Sequence, residues 1–78
     1  MTEAQMARHW RETNRLTREE LSALTGYSAE AVYLFESGRN SKGEPHAKPN
    51  WQRYKLTCLA VATLMHYKVA SVDDWAWS

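Results

Sequence analysis

Two helix-start signals stand eleven residues apart in this chain, with a glycine just ahead of the second. Thr17 is followed three positions later by Glu20, the spacing at which hydroxyl and carboxylate each accept the other residue's backbone N–H. Ser28 provides the next start, two residues after Gly26. Only a short helix fits between them, from Arg18 to about Leu24 or Thr25. Glycine tolerates the left-handed conformation common just past a helix end, so Gly26 marks a tight corner. Leu21 and Leu24 form the apolar face of the short helix, and Ala23 leaves room for close packing. Val32 and Phe35 are the buried stripe of the next helix, Tyr27 is placed to staple against Val32, and Gly38 ends it.

The flanking segments are helical as well. Thr2 with Gln5 predicts a first helix over about Glu3 to Asn14, with Met6 and Trp10 sharing one face. Arg39 to Lys48, with Gly43 and Pro45, reads as the one long loop. From Asn50 to about Tyr67, Trp51, Tyr54, Cys58, Val61 or Ala62, and Met65 recur at three-to-four spacing. That pattern is an amphipathic helix, and Pro49 leaves open a break near its start. Ser71 with Asp74 predicts a brief terminal turn carrying Val72, Trp75 and Trp77. The expected fold is all-α, a compact five-helix domain over residues 1–78. Its helix-turn-helix core spans 17–37, its basic loop 39–49, and its C-terminal helical support and dimer region 50–78.

Composition narrows the class. The chain is 78 residues long and 44% hydrophobic, with four tryptophans and four tyrosines, enough for one small core. A single cysteine excludes an intramolecular disulfide and fits a reducing compartment, and no apolar run approaches a membrane span. A cytoplasmic protein with no membrane partner is expected. Net charge is only +1, but residues 39–55 hold Arg39, Lys42, Lys48, Arg53 and Lys55 against the single acid Glu44. Residues 1–26 balance four bases with four acids. A local basic patch beside an outward-facing helix matters more to phosphates than total charge does.

Arg11, LTREEL at 16–21, GYS at 26–28 and FESGRN at 35–40 together resemble the Cro/repressor (XRE-type) helix-turn-helix family. The resemblance covers roughly Ala7 to Asn40. It implies a five-helix DNA-binding domain, dimeric and regulatory, whose second motif helix enters the major groove. On that resemblance, Ala29, Glu30 and Tyr33 fall at base-facing positions. Arg18, Arg39, Asn40 and Lys42 would meet the DNA backbone, with Lys48, Arg53 and Lys55 as additional contacts. Arg11 would pair with Glu36 inside the domain. The base-facing residues depart from the glutamine, arginine, serine or threonine frequent there. Glutamate can still accept from cytosine N4 and alanine can pack a thymine methyl. The loop to Pro49 is longer and more basic than the family's compact turn. With the Pro-aromatic helix start that follows, it is similar to anti-CRISPR-associated phage autorepressors.

These readings predict a sequence-specific repressor acting as a homodimer on a palindromic operator in double-stranded DNA, its own promoter included. Two other roles fit the same residues: an antitoxin-type component that binds DNA and a toxin, and a protein-interaction module using Tyr33, Leu34 and the tryptophan tail. A polymerase contact would turn repression into activation. Trp75 and Trp77 would either close the core or fill a partner's groove. An enzyme is not expected: His9, His46 and His66 lie in different elements, and Cys58 sits within an apolar pattern. No cofactor or metal signature occurs.

Overall fold

Capping chemistry within the chain sets the helix boundaries. The computed structural model describes residues 1–68. Among them four helices follow in order: α1 (Glu3–Thr13), α2 (Arg18–Thr25), α3 (Ala29–Ser37) and α4 (Lys48–His66). The described chain is all-helical, with four helices where five are expected from the sequence. The terminal turn expected at Ser71–Asp74, together with Trp75 and Trp77, lies outside the described residues.

Both threonine caps close reciprocally. Thr2 Oγ1 accepts from the Gln5 amide at 3.1 Å while the Thr2 amide donates to Gln5 Oε1 at 2.9 Å. Thr17 and Glu20 repeat this at 3.0 and 2.9 Å. Ser28 Oγ accepts from the Ala31 amide. Each cap satisfies donors that a helix start leaves without partners, and losing one costs about 1 kcal/mol. Gly26 (φ +83°) and Gly38 (φ +80°) close α2 and α3 in the left-handed region. Arg15 turns the corner after α1 in the same region (φ 57°) without being glycine.

Helix α4 begins two residues earlier than the sequence pattern places it. Its N-cap is Ala47, which has no side chain to accept a bond, and Pro49 falls in the first turn. No proline is better placed, because first-turn amides have no intrahelical acceptor to lose. The helix therefore runs through Pro49 unbroken.

Helices α1 and α2 both pack on α3, and α4 packs on α2. Leu21, Val32, Phe35, Tyr54 and Val61 form the buried core. Phe35 lies between two rings, stacked on Tyr54 (4.1 Å between centroids) and on His46 (4.3 Å), with Trp51 and Tyr27 edge-on. Tyr27 meets Phe35 and Tyr54 edge-on, so the connector between α2 and α3 is anchored in the aromatic core. Met6 and Met65, expected on inward faces, are exposed. A groove of about 320 Å³ between α1 and α4, lined by Met6, Trp10, Trp51 and Cys58, accounts for the first of these.

Candidate nucleic-acid interface

Helix α3 has two chemically distinct sides. Val32 and Phe35 are buried, and the Glu36 side chain is 2% exposed. Glu30 is exposed and Tyr33 is 53% exposed, with Ala29 half-buried beside them. The spacing of Ala29, Tyr33 and Ser37 at i, i+4 and i+8 makes one outward row.

A charge pair inside the domain fixes this helix. Arg11 Nε donates to Glu36 Oε2 at 2.6 Å and Arg11 Nη2 to Oε1 at 2.9 Å, a bidentate fork between α1 and α3. A third bond, from Arg11 Nη1 to the Leu16 carbonyl at 2.8 Å, ties in the α1–α2 corner. The Glu36 hydrogen bond raises the Arg11 guanidinium above its ordinary value, outweighing the opposing effect of burial. Arg18 adds a second cation: its Nε lies 3.4 Å from Glu36 Oε1, an ion pair without hydrogen-bond geometry. The same guanidinium stands 5.4 Å over the Tyr33 ring, a cation–π distance. Arg18 thus connects the buried carboxylate to the exposed tyrosine.

The loop after α3 is built rather than slack. Asn40 Oδ1 accepts from the amides of Lys42 and Glu44, and the Asn40 amide donates to the Glu44 carbonyl at 2.7 Å. Arg39 and Pro45 face each other across the base of the loop. His46 then locks the loop to α3. Its ring stacks on Phe35 and its Nε2 lies 2.8 Å from the Leu34 carbonyl. A carbonyl only accepts, so Nε2 carries the proton there.

The expected contact residues divide on this frame. Arg39 and Lys42 are exposed just beyond α3, with no carboxylate partner among the described residues. Arg39 Nη1 reaches only the Gly43 carbonyl, at 3.4 Å. Asn40 is half-buried, and its side-chain oxygen is committed to shaping the loop. Lys48 is exposed at the start of α4, and Arg53 meets only Asn50 Oδ1 at 3.4 Å. Lys55 is separate from this set: its Nζ pairs with Glu3 at 2.9 Å, on the groove between α1 and α4. Glu30 and Glu44 place acids among the cations, so the surface is mixed rather than uniformly basic.

His46 carries no local sequence signal for its role, since ring stacking on Phe35 joins residues far apart in sequence. Cys58 is half-buried, and burial pushes its thiol up to about 11, leaving it protonated at neutral pH. No group of three metal-binding side chains occurs among the described residues, and none of the described helices is long and apolar enough to cross a membrane. Comparison of the chain with protein-family models, with curated proteins and with solved structures gave no match.

Proposed function

We propose that this chain is a sequence-specific DNA-binding transcriptional regulator, a homodimeric repressor acting at a palindromic operator. In this reading α2 and α3, joined through Gly26–Ser28, are a repressor-type helix-turn-helix, and α3 lies in the major groove. The observation that carries it is the division of α3. Its inner side is held by Val32, Phe35 and the Arg11–Glu36 fork, which leaves Glu30 and Tyr33 outward, with Arg18 over the Tyr33 ring and the exposed Arg39 and Lys42 following the helix. A helix so clamped presents side chains at fixed positions, as base-edge recognition demands.

The roles follow from the contacts. Glu30 accepts from cytosine N4, Ala29 packs a thymine methyl, and Tyr33, backed by Arg18, contacts a base or its sugar. Arg39 and Lys42 meet phosphates and set the register, while Asn40 and His46 hold the loop that offers them. Repression results from occupying a promoter, and the chain's own promoter is the first operator to test.

Selection of bound sites from random duplexes, followed by fluorescence anisotropy, tests the reading. Arg39→Ala should weaken all sites alike and lower the salt slope of log K by about one per protomer. Tyr33→Ala should change which sites are selected. Absence of binding to any duplex at low salt would overturn the proposal.

A further inference from the structure

Arg18 is held more closely than a phosphate contact requires. It is the first residue of α2, and its side chain runs against α3, where it meets Glu36 and Tyr33. The side chain is 36% exposed, and its Nε is buried with no hydrogen-bond partner among the described residues. A surface arginine ordinarily keeps its head in water, where every N–H finds an acceptor. Burying an N–H unbonded costs stability, so other contacts must hold the guanidinium in this place. Two are present: the Glu36 carboxylate, with Oε1 3.4 Å from Nε, and the face of the Tyr33 ring, 5.4 Å from the guanidinium carbon.

These two contacts differ in what fixes them. Glu36 is gripped by the bidentate fork from Arg11, so its carboxylate stays inside the domain and Arg18 stays with it. Tyr33 is 53% exposed on the outward row of α3. An exposed aromatic side chain on a helix has two staggered χ1 positions open to it. A guanidinium lying over one face of the ring favours the position that keeps this contact. The attachment therefore runs from α1 to the surface, Arg11 to Glu36 to Arg18 to Tyr33. We infer that Arg18 is a positioning residue that holds the Tyr33 ring in one orientation and so sets the base preference at the position Tyr33 contacts. It does this in place of the DNA-backbone contact implied by the resemblance.

Lysine separates the two roles. It carries the same charge and binds phosphate as a point charge, but it has no plane to lay on a ring. A phosphate contact therefore survives Arg18→Lys in large part, and whatever is lost is lost on every sequence alike. A contact that orients Tyr33 does not survive it, and its loss is felt at one base pair. The role rests on the DNA-binding reading, but the pairing of Arg18 with Tyr33 is measured without DNA, so the two fail separately.

In NMR spectra of the free chain, the Tyr33 ring current should displace the Arg18 side-chain resonances. Tyr33→Ala should return them to ordinary values, and Tyr33→Phe, which keeps the ring, should preserve the displacement. In Arg18→Lys the Tyr33 χ1 couplings should move from those of one rotamer to an average. Fluorescence anisotropy then compares two duplexes: the selected site, and the same site altered at the base pair whose preference Tyr33→Ala changes. Arg18→Lys and Arg18→Gln should each narrow the affinity ratio of the two duplexes by about tenfold, within the range of one base contact. In a Tyr33→Ala background neither should narrow it further. Three results would overturn the role: Arg18 resonances that Tyr33→Ala leaves in place, an Arg18→Lys chain with the wild-type ratio, or an Arg18 effect undiminished in Tyr33→Ala. With wild-type binding intact, any of these strikes the role alone. A wild-type chain that binds no duplex overturns the DNA-binding reading and the role together.

Discussion

Replacing Arg11 by methionine removes three charge-assisted bonds while keeping most of the side-chain volume. Two of them leave Glu36, whose side chain is 2% exposed, and one leaves the Leu16 carbonyl. Breaking a buried pair from one side costs about 3–5 kcal/mol, because the remaining charge has lost its partner. Arg18 Nε stays 3.4 Å from the same carboxylate and compensates part of that charge, which places the loss near the lower end, about 3 kcal/mol. At roughly 4–8 °C per kcal/mol for a domain of this size, the melting temperature should fall by about 12–24 °C. Thermal and urea unfolding followed by circular dichroism read this directly. The double variant Arg11→Met with Glu36→Met should regain a large part of the loss, since no isolated charge is left buried. A single Arg11→Met variant that loses less than about 1 kcal/mol, or a double variant no more stable than the single, would refute the reasoning.

Two further perturbations probe other contacts. His46→Ala removes the stack on Phe35 and the bond to the Leu34 carbonyl, worth about 1–2 kcal/mol together. Hydrogen exchange at the Lys42 and Glu44 amides should quicken far more than in α1; equal changes in both would count against a loop-holding role. Burial lifts the Cys58 thiol from an ordinary 9.0 to about 11, so its stabilising contribution is complete below pH 9 and is lost as pH rises through about 11. Wild type should lose stability across that window faster than Cys58→Ala. Native protein at neutral pH should react with thiol reagents far more slowly than unfolded protein.

Residues whose roles are local were legible in the sequence. Thr2, Thr17 and Ser28 act on amides three positions away, and Gly26 and Gly38 answer a backbone angle, so each leaves its mark in a few neighbouring letters. Helix α4 escaped by two residues because its cap is an alanine, which signals nothing. The loop was legible as a loop but not as an ordered one, because Asn40 reads in sequence as a phosphate contact, and its bonds to the Lys42 and Glu44 amides show only in the folded loop. Lys55 belonged to a run of bases in sequence, yet the helical turn directs it to Glu3 on the far groove.

The reach of the Arg11 guanidinium across twenty-five residues has a consequence for how the molecule can be divided. A peptide cut to residues 17–38 keeps every cap and turn of the two central helices but strands Glu36 beside a single, half-engaged arginine. Helix α3 would keep its packing on α2 but lose the α1 clamp that fixes its angle. Transplanting that segment alone into another scaffold would carry over the exposed side chains of α3 without their alignment; the smallest portable piece has to start with α1.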